Sequence, residues 1–260
     1  MFSSKPSYSS ILHKLGYSLD QEGILNRFIR EGDAWKSHLE HTKNWILDFS
    51  KDYKNKSIAL LGTGWFLDIP IDYLLQQCKT VYAVDVVHPP QIVHKYKNIS
   101  NLVFVEADVT GGLIYTVYDI LYGSRKHERI DFSCISVPEF TIPFDVQAVV
   151  SCNILNQLNI LLCDAITDSR MYTDTDCSHV QKNIQKKHLL FLQKYSYCLI
   201  SDWIQATYEA DINNMSQKNL VVVEPPKHEK HAEWSWRFDS SGTYEENKNV
   251  EFVVHAFSHS

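Results

Sequence analysis

The chain has 260 residues, 44% hydrophobic and 22% charged, with a formal net charge of −6. These values suit one good-sized globular domain, or one domain with an extension. The acidic balance argues against a protein built to bind nucleic-acid phosphates, and no apolar run reaches the length of a membrane-spanning helix.

The first ten residues, MFSSKPSYSS, hold no apolar core and do not read as a secretory signal. Cys78, Cys134, Cys152, Cys163, Cys177 and Cys198 form no Cys-x-x-Cys pair. Reduced, mostly buried thiols in a cytoplasmic protein follow as the expectation. Residues 1–56 are expected to form an N-terminal helical cap. Short helices are predicted over 8–16 and 20–30, and Asp33 can cap a longer one over 34–49. Its apolar stripe of Trp35, Leu39, Trp45, Ile46 and Phe49 reads as core packing rather than a ligand site.

The stretch SIALLGTGWFLDIPIDYLL, residues 57–75, organises the rest. An apolar run over Ile58–Leu61 reads as a strand buried on both faces. Gly62-Thr63-Gly64 then permits a tight turn and a close approach by a ligand. A helix is predicted over 68–77, with Pro70 tolerated in its first turn. Residues 79–87, KTVYAVDVV, form a second strand with Asp85 near its end, twenty-three residues after Gly62. A carboxylate at that spacing can accept from two ribose hydroxyls.

His88-Pro89-Pro90 turns the chain, and a third strand over 101–109 ends in Glu106-Ala107-Asp108. A helix is predicted over 113–123, an irregular region over 124–144, and a fourth strand over 145–151 leading into Cys152-Asn153. Helices are predicted over 159–176 and 177–195, a fifth strand over 197–203, a helix over 204–214 and a short strand over 219–223. Two strands over 234–238 and 250–257, joined by a turn, make a terminal antiparallel hairpin. Trp234 and Trp236 share one face of it, to cover a substrate pocket or pack on the helical cap.

The order of elements resembles the class I S-adenosylmethionine-dependent methyltransferase family, over roughly residues 57–260. Leu60–Trp65, LLGTGW, is similar to its glycine-rich first motif. Asp85 stands where its ribose-binding acid ends the second strand. Ala107-Asp108 looks like the motif whose aspartate meets the adenine amino group. Ser151-Cys152-Asn153 occupies the loop beside the donor's sulfonium, and the terminal hairpin resembles the family's reversed last strand. The pattern departs from the family at Leu60, where an acid is usual, and at Phe66, where a third glycine is usual. The Asn/Asp-Pro-Pro-aromatic sequence of amino-group methylators is missing after the fourth strand.

The resemblance implies a Rossmann-like α/β fold, a three-layer sandwich around a mostly parallel seven-stranded sheet. It implies S-adenosylmethionine as cofactor, held by Gly62, Thr63, Gly64, Asp68, Asp85, Asp108 and Ser151. His88 and Asn153 are the catalytic candidates, His88 as a base and Asn153 as an orienting amide. His179 and His188 are weaker candidate bases, and His188 reads as a packed structural histidine. The expected partner is a small-molecule acceptor, with no nucleic acid and no membrane. His228, His231 and Glu233 have a spacing that could hold a metal, yet they read as a solvated charged loop, and no metal is assigned. Cys152 reads as structural. Two alternatives stand beside methyl transfer: a Rossmann-like binding module without catalysis, and a nicotinamide-dependent oxidoreductase. Against the latter, Gly-x-Gly-x-x-Gly would need glycine where Leu67 stands.

Overall fold

The computed structural model describes residues 6–209 and 215–260. Helix α1 (Tyr8–Lys14) is capped by Ser7, whose hydroxyl accepts the Ser10 N–H at 3.2 Å. Gly16, at φ +88°, turns the chain into α2 (Tyr17–Ser50). This single 34-residue helix replaces the two helices expected over 20–30 and 34–49. Asp33 lies exposed inside it rather than capping it. A mid-helix glycine such as Gly32 costs only about 1 kcal/mol. Packing outweighs that cost, because Trp35, His38, Thr42, Ile46 and Phe49 form a buried stripe at helical spacing.

The sheet contains β1 (Ser57–Leu61), β2 (Thr80–Asp85), β3 (Leu102–Glu106), β4 (Ala148–Cys152) and β5 (Ser196–Glu209). It is completed by β6 (Met215–Asn219), β7 (Lys230–Asp239) and β8 (Lys248–His259). Strand order is β3-β2-β1-β4-β5-β8-β7, with β6 paired to β5 off this path. The first five strands are mutually parallel, and β8 runs against both β5 and β7. The fold is therefore Rossmann-like α/β with a reversed strand inserted near one edge, as the resemblance implied; the sheet has eight strands where the resemblance implied seven.

Helices α3 (Ile71–Gln77) and α4 (Pro90–Tyr96) share a hydrophobic cluster with α2 on one face. Helices α5 (Leu113–Tyr122), α6 (Ile160–Asp168) and α7 (Asp174–Leu192) cover the other face. β1 is buried at every position, as its continuous apolar run requires.

Three expectations change. The helix predicted over 204–214 is strand through Glu209, and 210–214 lie outside the described residues. β5 continues because β8 pairs one edge while β6 takes up the edge that β4 leaves, from Ile204↔Asn219 to Tyr208↔Met215. The strand expected over 219–223 lies earlier, at Met215–Asn219. Leu220 and Val222 are instead held by α7: the Leu220 carbonyl accepts from Gln181 and Gln185, and the Val222 N–H donates to Gln185. α7 also begins earlier than predicted, because Asp176 accepts the Thr173 N–H at 2.8 Å and closes its first turn. No described helix is long and apolar enough to cross a membrane.

Candidate functional site

The C-terminal ends of β1, β2 and β4, with the middle of β5 beside them, surround the loop that follows β1. At Gly62, φ +77°, an added Cβ would stand 1.9 Å from Ile154 Cγ2 and 2.6 Å from the Cys152 carbonyl oxygen. Only glycine fits where this turn crosses the end of β4. Gly64, also left-handed at φ +40°, donates its N–H to Asp85 Oδ2 at 2.8 Å, and Val86 N–H donates to Oδ1 at 2.7 Å. Burial raises the Asp85 carboxyl, opposed first by the Gly64 N–H and then by the nearby His88. Each Asp85 oxygen still has lone-pair capacity for a hydroxyl donor.

Thr63 and His88 are buried beneath this loop. The Thr63 hydroxyl lies 3.5 Å from His88 Nδ1, and His88 Nε2 lies 3.2 Å from the Val105 carbonyl oxygen. His88 thereby ties the glycine loop to β3, with both ring nitrogens occupied.

Asp68 stands outside its predicted helix, because α3 starts at Ile71 with Pro70 as its cap residue. Freed from the first turn, its carboxylate accepts from Asn153 Nδ2 at 2.6 Å and from the Cys152 thiol at 3.4 Å. Burial raises Asp68, and the Asn153 amide pulls it back down. Asn153 takes φ +53° just past β4, and its Oδ1 is buried with no partner among the described residues. Burial also pushes the Cys152 thiol far up, which leaves it a protonated, packed group.

Asp202, not singled out from sequence, belongs to the same cluster. It lies on β5 past the end of β4, 2% exposed, and its Oδ1 has no partner among the described residues. Burial pushes its carboxyl up to about 8, with the neighbouring Asp68 charge adding to the shift. Asn156 is buried alongside and accepts the Ser201 hydroxyl at 3.1 Å. The signal in the sequence was an acid inside the apolar run YCLISDW.

Two of the sequence candidates face elsewhere. Asp108 receives four donors at the start of α5: Thr110 N–H and hydroxyl on Oδ1, Gly112 and Ile114 N–H on Oδ2. Its four acceptor positions are taken, which leaves no lone pair for an adenine amino group. Ser151 points from β4 toward α7, where its hydroxyl meets His188 Nε2 at 2.8 Å. His188 is buried, which drives its imidazole down to about 3 and keeps it neutral.

The start of α2 covers the loop. Trp65 Nε1 donates to the Gln21 carbonyl at 2.8 Å, and a Cβ at Gly64 would meet Gln21 Oε1 at 3.3 Å. Tyr8 and Tyr17 stand close enough to Asp108 for its charge to raise their hydroxyls, after the larger effect of burial. A cavity of about 280 Å³ opens on the α3–α4 side of the loop, lined by Lys43, Trp65, Phe66, Asp72, Lys95 and Tyr96. None of the sequence-predicted site residues lines it.

Trp234 and Trp236 pack on α2 rather than over a pocket. Trp35 donates to the Phe238 carbonyl at 2.9 Å and meets Trp236 edge-on at 4.9 Å, while Trp234 donates to His38 Nδ1 at 3.1 Å.

No protein-family model matches the sequence, and no curated protein matches it. Several solved structures are similar over most of their length. The N-methyltransferase NodS from Bradyrhizobium japonicum WM9, in complex with S-adenosyl-L-homocysteine, is 10% identical, over 85% of this chain and 86% of that one, with a TM-score of 0.39. The 1,6-didemethyltoxoflavin-N1-methyltransferase of Burkholderia thailandensis is 12% identical, over 100% and 94%, at 0.39. A putative S-adenosylmethionine-dependent methyltransferase from Listeria monocytogenes is 10% identical, over 88% and 99%, at 0.36. Likenesses this distant carry no argument about what the chain does; the chain's own geometry has to carry it.

Proposed function

We propose that the protein is an S-adenosylmethionine-dependent methyltransferase acting on a small-molecule acceptor. One observation carries the reading: the glycine turn after β1 is tied through Gly64 to Asp85 at the end of β2, in a sheet whose reversed strand β8 lies between β5 and β7. A bound donor supplies an electrophilic methyl group on a sulfonium. The chain's residues suit such a cation. Asp68 and the Asn153 Oδ1, without a partner among the described residues, gather acceptors past the end of β4.

In this reading Asp85 accepts the ribose hydroxyls with the lone pairs that Gly64 and Val86 leave free. Gly62 and Gly64 let the backbone approach the ligand, and Thr63 and His88 hold their loop in place. Asp68 takes an ammonium group, oriented by Asn153. Asp108 braces α5, so adenine is bound by other groups than its carboxylate, and Ser151 braces β4 against α7. Asp202, which holds its proton to about 8, stands at this end of the sheet as a neutral carboxyl able to donate a hydrogen bond near neutral pH. A ligand approaching Gly64 meets the Gln21 side chain, which has to turn aside on binding. The chain's remaining work is alignment and exclusion of water.

A second reading is a binding module without catalysis. It is favoured by the Asp108 carboxylate being wholly engaged by α5.

Thermal unfolding with S-adenosylmethionine, S-adenosylhomocysteine, NAD and NADP in turn tests the proposal. The two adenosyl sulfur compounds should raise the midpoint progressively, with the logarithm of their concentration above the dissociation constant, and the nicotinamide nucleotides should leave it unchanged. A shift by a nicotinamide nucleotide alone, or by none of the four, contradicts the methyltransferase reading.

A further inference from the structure

The open face of the terminal hairpin carries a group of side chains that the proposed donor site does not use. Strands β7 and β8 bury Trp234, Trp236, Val254 and Ala256 toward α2 or the core. The alternate positions His231, Glu233 and His255 therefore share the opposite face. Glu233 and His255 are direct cross-strand partners, and His231 lies two residues from Glu233 along β7. His231 Nε2 is 3.0 Å from His255 Nδ1, and His255 Nε2 is 3.5 Å from Glu233 Oε2. One ligand atom from each of the three falls within 4.8 Å of the others.

This is not the trio that spacing alone suggested. His228 uses Nδ1 on the Pro226 carbonyl at 2.8 Å, and its ring centre stands 5.9 Å from that of His231. Its place is taken by His255, contributed by the neighbouring strand and invisible to local spacing.

We propose that His231, Glu233 and His255 bind a divalent transition-metal ion, zinc first, with water completing the tetrahedron. Two imidazoles and a carboxylate are a borderline-soft set that suits zinc over calcium or magnesium. The backbone is already paired at the right register, so only side-chain rotations bring the three atoms onto one ion. The contact between the two imidazole nitrogens opens on binding, and each neutral ring then gives the metal one nitrogen lone pair while keeping its proton on the other nitrogen. Both strands contribute ligands, so the ion staples β7, the edge strand, to β8. The site lies on the far side of β5 from the glycine loop, which makes it independent of donor binding.

The test uses the full chain, stripped with a chelator and titrated with zinc alone, then with cobalt as a spectroscopic probe. One zinc per chain is expected, with a rise in the unfolding midpoint and the intense visible bands of tetrahedral cobalt. His231→Gln and His255→Gln should each weaken zinc binding by about tenfold or more, whereas a change at the exposed His179 of α7, His179→Gln, should not. Circular dichroism checks that the variants are folded. If either variant is unfolded, the cobalt spectrum of the wild-type chain decides alone. No binding, octahedral cobalt, or equal zinc affinity in folded wild type and variants overturns the proposal.

Discussion

A carboxyl group buried on β5 past the end of β4 is costly to ionise, and Asp202 responds by holding its proton to about 8. The consequence for stability has a definite sign. Between about pH 4, where the unfolded carboxyl ionises, and about 8, the folded chain keeps a proton that the unfolded chain has lost. The favourable contribution is complete below that window and is lost as pH rises through it. Asp202→Asn keeps the shape and removes the titration. Its stability relative to wild type should therefore grow from pH 5 to pH 8, by roughly 1–3 kcal/mol, in denaturant melts. A difference that stays constant across that range contradicts the buried, protonated carboxyl. At this scale the glycines and Asp85 were legible because chain-local rules of turn geometry and spacing govern them. The turned-away Ser151 and the fully bonded Asp108 were not. Which face a strand residue takes, and how many donors a carboxylate collects, depend on partners from other elements.

Between helix and sheet, the most extensive contact is the lie of α2 along β7. Trp35 sits at its centre, 2% exposed, stacked on Phe238 at 5.5 Å and edge-on to Trp236. His38 stacks on Trp236 at 3.9 Å, and burial drives its imidazole down to about 3, so it accepts from Trp234 as a neutral ring. Trp35→Ala removes a large buried ring and leaves the Phe238 carbonyl without its donor. It should lower unfolding free energy by about 3–5 kcal/mol. Trp45→Ala, on the partly buried side of the same helix, should cost clearly less; equal losses would contradict the packing described. The apolar stripe of α2 could be read from periodicity, so its packing role was legible; the shared face of Trp234 and Trp236 was legible too, but not whether it covers a pocket or packs on the cap. The helix's full length was not, since Gly23, Gly32 and Asp33 all look like punctuation until β7 is laid against them. β5 shows the same effect in reverse. Residues 203–209 are strand because two neighbours pair them, a fact that local propensity does not contain.

At the scale of the molecule, the sheet order β3-β2-β1-β4-β5-β8-β7 gathers the glycine loop, Asp85, Asp68, Asn153 and Asp202 at one end. The hairpin was readable in the residues, and the mostly parallel sheet with its reversed strand followed from the family resemblance; the strand order itself is set by the fold. The cover over it was not readable, because Gln21, forty-three residues before Gly64, meets the loop only through the fold. Calorimetric titration of the protein with S-adenosylhomocysteine, beside Asp85→Ala and Asp85→Asn, tests the central claim most directly. One site of about micromolar affinity is expected in the wild-type chain, lost in Asp85→Ala and weakened in Asp85→Asn, with both variants folded by circular dichroism. Absence of binding by the folded wild-type chain, or equal affinity in both folded variants, would contradict a donor site built on Gly64 and Asp85.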